Sequence, residues 1–232
     1  MTNFAIREYD VHRNPKNPKD QKRLAKGEVT DIMSRYLREF FSSWMIRFVF
    51  ALGIVSLIYT IAYFDGVKTV LAVLGGAIFF AIAEYFSHWL VLHKFPKFMP
   101  ALHQGHAKHH EYPEEYQYLF SPVHYDVMLY TGYFIVLWAV FRDLPLVAAI
   151  IAGTSLYQVY YQWMHYASHR PITLKTPWGR WMKKKHLLHH YMDEHSWYGV
   201  SHPALDYLFG THKPRPARVS GQKAESSRAA RG

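Results

Sequence analysis

The chain has 232 residues, half of them hydrophobic and only 19% charged, with a formal charge of +10; that length suits one domain, whose solvent is either water or lipid. It contains no cysteine, which excludes disulfides, thiolate metal sites and cysteine nucleophiles and leaves nitrogen and oxygen as metal donors. The basic residues lie mostly at the two ends, a pattern that suits nucleic acid, an anionic membrane or an acidic partner, and the aromatic-rich apolar blocks between them favour the membrane over nucleic acid.

Residues 1–43 begin polar, so no secretory signal peptide is expected and the N-terminus is predicted to stay in the cytoplasm. Ile32, Tyr36, Leu37 and Phe40 recur at helical spacing and predict an amphipathic helix from Val29 to Phe41, suited to a membrane surface. Trp44 to Phe64 is apolar apart from Arg47 and matches the ~20 residues of a membrane-crossing helix. Asp65 and Gly66 supply a turn. A second span runs from Val67 to about Ala83 and continues as helix through Glu84 and His88. A third covers about Val127 to Phe141, a hairpin follows at Arg142 to Pro145, and a fourth runs from Leu146 to Met164.

The two far turns carry one base each, Lys68 and Arg142, against nine in residues 1–43 and twelve in residues 166–232. Lysine and arginine are enriched on the cytoplasmic side, which places both termini and the central loop, 93–122, there. The stretch after Thr211 has few side chains to bury and is predicted to be disordered. The expected fold is all-α and integral-membrane. It comprises an N-terminal segment (1–43), four transmembrane helices in two hairpins with a cytoplasmic helical cap (44–211), and a basic tail (212–232).

Sixteen histidines are present, and most fall into clusters where the apolar runs end. They are His88 and His93; His103, His106, His109 and His110; His165 and His169; and His186, His189 and His190. Residues three and four apart share a helix face, so each triplet is expected to project its imidazoles together, as is the pair His165 and His169. His88 and His93 are five apart, about 140° around a regular helix. Either the helix ends or bulges between them, or each serves a different ion. His12, His124 and His212 read as surface residues. A metal-buffering tract is the bland alternative, but such tracts are low-complexity runs, whereas these clusters sit in aromatic, helix-forming sequence. Ten imidazoles at one membrane face, a pair from each span end and three from each loop (His106, His109 and His110; His186, His189 and His190), are too many for one ion and suit two.

The segments His88-Trp-Leu-Val-Leu-His93, His106-Ala-Lys-His109-His110, His165-Tyr-Ala-Ser-His169 and His186-Leu-Leu-His189-His190 resemble the histidine boxes of the membrane fatty acid hydroxylase superfamily, which includes sterol desaturases. The strongest likeness is to fatty acid 2-hydroxylases, through Lys185 to Tyr191, Gly199-Val200-Ser201 and Asp206 to Thr211. The resemblance implies a non-haem di-iron site, dioxygen as co-substrate, and hydroxylation of a lipid acyl chain beside its carbonyl. It carries over as ligands His88, His93, His106, His109, His110, His165, His169, His186, His189 and His190, with His103 less certain. Zinc cannot reduce dioxygen, so the reaction selects iron, although a purified sample can hold zinc.

No fused cytochrome b5 domain is expected in a 43-residue N-terminal segment, so electrons would come from a separate protein, cytochrome b5-like or ferredoxin-like. A bacterial inner membrane is favoured over endoplasmic reticulum. Sterol, carotenoid or other lipid substrates, and desaturation, are the rival readings within the same chemistry. Metal transport is the rival outside it, disfavoured because the ionisable residues gather at one face instead of lining the spans. Glu84, Asp126, Asp193 and Asp206 are candidate acceptors for ligand imidazole N–H groups. Lys183, Lys184 and Lys185 are candidates for docking an acidic electron donor or anionic lipid. Tyr85, Trp89, Tyr157, Tyr160, Tyr161, Trp163 and Tyr166 are expected at the membrane interface.

Overall fold

The structure, a computed structural model, describes residues 31–214. His12, the first residues of the predicted N-terminal helix and nearly all of the predicted tail lie outside them. The chain forms two compact units that part after Ser42. The first contains helix α1, residues 31–40, where the apolar spacing predicts a helix.

The second unit is built of helices. They are α2 (Trp44–Ala62), α3 (Gly66–Phe86) with a π-helical continuation (Ser87–Lys94), α4 (Pro100–Glu111), α5 (Tyr116–Leu119), α6 (Val123–Phe141), α7 (Leu144–Ser168), α8 (Pro177–Tyr191) and α9 (Ala204–Leu208). No strand occurs among the described residues. Four stretches are long and apolar enough to cross a membrane: Trp44–Ala62, Gly66–Lys94, Tyr116–Phe141 and Leu144–Ser168. These are the four predicted spans. The second and fourth run beyond their apolar stretches because the helix persists where hydropathy fades, and it is these extensions that carry His88, His93 and His165.

Helix α7 is the centre of the bundle, packed along α2 and α3 and touching α6 and α8. In lipid, apolar burial does little to hold helices together, so small residues that let backbones approach take over. Gly53, Ser56 and Thr60 make such a stripe on α2, and Thr69, Ala72 and Gly76 another on α3; both are buried. On α7 they meet Ala149, Ala152, Gly153, Thr154 and Ser155, also buried. The hydroxyls need acceptors in an apolar medium and find them one turn back, Thr60 on Ser56 O at 2.7 Å, Thr154 on Ile150 O at 2.9 Å and Ser155 on Ile151 O at 2.6 Å.

The hairpin turns use left-handed backbone at Gly66 (φ 51°) and Arg142 (φ 51°). Asp143 caps α7 by accepting from Leu146 N at 3.1 Å, and its other oxygen meets Lys68 Nζ at 2.6 Å. That pair ties the two turns together, though with both partners partly exposed it contributes about 1 kcal/mol or less. The opposite ends of α3 and α7 bring the histidines to α4 and α8.

Candidate metal centre

The first pair of histidines depends on a change of helix type. Phe95 N bonds to Leu90 O, five residues back, at 2.8 Å, and the whole of Ser87–Lys94 is wound this way. A π-helix joins residues i and i+5, so His93 comes round to the side of His88, with ring centroids 5.1 Å apart. The bulge is the alternative that holds, and both histidines face one point.

All ten predicted histidines come together in two groups of five. His88, His93, His106, His110 and His189 form the first group, and His109, His165, His169, His186 and His190 the second; in each, five ring nitrogens lie within 4.8 Å of one another. The triplets do not each project to one point as expected. His106 and His110 serve the first group while His109, between them, serves the second. On α8 the exchange is mirrored: His186 and His190 serve the second group and His189 the first. Each group thus has one pair from a span end, one pair at i and i+4 from a capping helix, and one imidazole from the other capping helix. The groups adjoin, with His110 stacked on His190 at 4.1 Å.

The nitrogen spacings test whether metal ions fit. His106 Nε2 lies 3.2 Å from His88 Nε2, 2.9 Å from His93 Nε2 and 3.1 Å from His110 Nε2. One imidazole nitrogen carries one proton or one lone pair, so three hydrogen bonds to three like nitrogens are impossible. A shared cation would fit the spacing, because nitrogens about 2.1 Å from one ion and at right angles are about 3 Å apart. In the second group His165 Nε2 and His109 Nε2 are 2.9 Å apart, and His169 Nε2 and His186 Nε2 2.8 Å. His189 gives its Nδ1 proton to Ser196 O at 2.7 Å, which leaves its buried Nε2 a bare lone pair with no protein partner among the described residues. The donor set fits a metal ion in each group, and imidazole suits iron, zinc, copper or nickel.

Several sequence expectations are corrected. His103 stands outside both groups and gives its Nδ1 proton to Leu92 O at 2.7 Å. His124 is exposed, whereas His212, expected on the surface, is half-buried and stacked on Tyr207; neither joins a group. Among the described residues, the four carboxylates take no imidazole proton from either group. Asp126 accepts from Gln158 and Ser121, Asp193 from Ser196 and His195 N, and Asp206 and Glu84 from backbone N–H groups of residues 198–201. Backbone carbonyls do the work instead, Tyr198 O for His88 and Ser196 O for His189. A carbonyl leaves no mark in a sequence; the only hint is Gly199, where a Cβ would overlap the His202 carbonyl oxygen.

Lys183 is no docking charge. Its ammonium gives hydrogen bonds to Ala167 O (2.8 Å), Arg170 O (2.8 Å) and Ile172 O (3.0 Å), using all three protons to close the C-terminal end of α7 beside His165 and His169. Burial lowers its pKa. Tyr85 and Tyr166 are buried within the protein, Tyr85 bonded to the Thr211 hydroxyl at 2.9 Å and Tyr166 stacked on Phe120.

Burial and then the neighbouring imidazoles push His106, His109, His186 and His189 well below the ordinary imidazole value, and burial takes His110 and His169 to about 3. These imidazoles are thereby kept neutral, the form that binds metal. The sign of the pH dependence follows. The unfolded chain takes up protons near its ordinary value of about 6.5, before the folded one does. Stability is therefore complete above that value and falls as the pH drops from there towards the folded values. Unfolding temperature and bound metal, measured in detergent from pH 8 to pH 4, should both decline below about 6.5; flat curves would contradict this.

A helical bundle with four stretches long and apolar enough to cross a membrane, closed at one end by two five-histidine groups, has the donor set of a membrane metal-binding protein. The family model described as fatty acid hydroxylase matches residues 73–211, which include all ten histidines, and the chain belongs to that family. It is similar to fatty acid 2-hydroxylases from Mus musculus (29% identity, 63% of this chain and 41% of that protein) and Homo sapiens (27%, 78% and 51%). The chain thus spans about half, or less, of the length of these relatives. A solved structure titled "Full length scs7p (only hydroxylase domain visible)" superposes with a TM-score of 0.61 at 24% identity, covering 74% of this chain and 66% of that one, and shows the same fold.

Proposed function

We propose that this chain hydroxylates a lipid acyl chain, at the carbon beside the carboxyl or amide carbonyl, with one iron ion in each histidine group. The observation that carries the reading is the pair of five-imidazole groups inside a fatty acid hydroxylase domain. The ions would supply dioxygen activation, since breaking an unactivated C–H bond needs a redox-active metal and zinc has a filled d shell. The balance is one C–H bond and one dioxygen converted, with two electrons and two protons, to C–OH and water.

The chain's own residues hold and orient. Ten neutral imidazoles fix the ions, the carbonyls of Ser196 and Tyr198 set two of the rings, and Lys183 anchors the end of α7. The distribution of basic residues supports a cytoplasmic position for this end of the bundle. Substrate then enters from the bilayer with its polar head at the interface, and the depth of the histidines selects the carbon. Electrons come from a carrier protein, cytochrome b5-like or ferredoxin-like.

The test is expression in a host without the activity, with a competent reductant, followed by mass spectrometry of the lipids. The expected product has one added oxygen next to the carbonyl, absent with His109→Ala or His189→Ala. Unchanged lipids, together with full metal content in those variants, would refute the reading.

A further inference from the structure

The segment from Ser196 to Ser201 reaches the histidines through its backbone. Its two carbonyl contacts, Tyr198 O to His88 Nδ1 at 2.6 Å and Ser196 O to His189 Nδ1 at 2.7 Å, both go to the first group. Between them Trp197 adopts a left-handed backbone (φ 56°), rare for a bulky residue. It is held by Trp197 N on Thr211 O and Trp197 Nε1 on His212 O, each at 2.7 Å.

Two buried carboxylates grip the same segment from either side. Asp206 accepts from Tyr198 N at 2.9 Å and Gly199 N at 3.0 Å. Glu84 Oε1 accepts from Val200 N and Ser201 N, both at 2.8 Å, while its Oε2 accepts from the Ser201 hydroxyl. Glu84 lies one helical turn before His88 on the same continuous helix. The contacts therefore close a ring: helix to Glu84, Glu84 to the segment, the segment's carbonyl to His88, and His88 back to the helix.

We propose that Glu84 is a positioning residue for one metal position only: by fixing the 196–201 segment it orients His88 and His189 towards the ion of the first group and leaves the second group independent. Imidazoles of the second group have no such link. The Nδ1 atoms of His109, His165, His186 and His190 are buried without a hydrogen-bond partner among the described residues. Loss of an outer partner that orients a ligand costs about 10- to 100-fold in metal affinity. In this case two ligands of one ion lose their partners together.

The proposal rests on the two-metal reading above, and the experiment separates the two. Wild type, Glu84→Ala and Glu84→Gln are purified in detergent, loaded with Mn2+ and challenged with a graded chelator, with metal per chain and the electron paramagnetic resonance spectrum recorded. Wild type should hold two ions with a coupled spectrum. Glu84→Ala should hold one, with the spectrum of an isolated ion, at chelator levels at least 10-fold below those that strip wild type. Glu84→Gln should hold two, because its amide oxygen still accepts both N–H groups. Two ions in Glu84→Ala with wild-type resistance, or loss of both together, overturns the proposal. Fewer than two in wild type overturns the two-metal reading and this proposal with it. If Glu84→Ala does not fold, Asp206→Asn decides, since its amide nitrogen cannot accept from Gly199 N: one ion supports the proposal, and two or none overturns it.

Discussion

Alanine at His109 is expected to remove metal from the group of His165, His169, His186 and His190, and not from that of its own neighbours His106 and His110. Alanine at His189 should do the reverse. Both variants should lose hydroxylation by more than about 100-fold, since even outer partners of metal ligands cost up to that. Double variants make the assignment decisive, because residues that share one ion are coupled and residues on different ions are not. His109→Ala with His186→Ala should keep one ion per chain, whereas His109→Ala with His106→Ala should keep none. Elemental analysis of the purified proteins reads this directly. If the first pair empties both groups while the second leaves one filled, the crossed arrangement is wrong.

The second large effect lies far from the histidines, where α3 and α7 meet backbone to backbone. A Cβ at Gly76 would overlap the Ile150 carbonyl oxygen, and one at Gly153 would overlap the Val73 carbonyl oxygen. Neither neighbour is a side chain that can turn away, so the helices must separate along their whole contact. Gly76→Ala and Gly153→Ala should each destabilise by about 3 kcal/mol or more, the upper end for overpacking. The double variant should lose less than the sum, because either change opens the same interface. Gly75→Ala is the control, as a Cβ there meets nothing within 4 Å and alanine is the better helix former by about 1 kcal/mol. Thermal unfolding in detergent should rank Gly75→Ala at or above wild type and the other two far below. Equal unfolding temperatures for Gly75→Ala and Gly76→Ala would refute the close crossing.

The spans and the ten histidines were legible in the sequence because hydropathy and helical spacing are local signals. Which ion each imidazole serves was not. On a regular helix His106 and His110 diverge by about 40°, while His109 stands about 60° from one and 100° from the other. Spacing marks the three as neighbours. Only the structure shows that two targets lie side by side, so that this modest divergence sends His109 to the second. The pairing of His88 with His93 was equally undetermined, since no residue in Ser87–Lys94 announces a π-helix, and the sequence left a bulge and two separate ions as alternatives. Glu84 is legible in the sequence only as one of four candidate acceptors, and its partners lie on a segment more than a hundred residues later. The acceptor it positions is a carbonyl, common to every residue.

The crossed histidines also have a polymer consequence. A chain without cysteine has no covalent staple. Ions in the two groups would fasten the end of the second span to α8 and fasten α4 to α8 and the end of the fourth span, closing long loops that overlap along the chain. Closing a long loop restricts the unfolded ensemble and so favours the native one, as a disulfide does. Because each capping helix carries imidazoles of both groups, the two loops overlap, yet each ion would close its own. The ions that would activate oxygen would then also be the rivets of this end of the bundle.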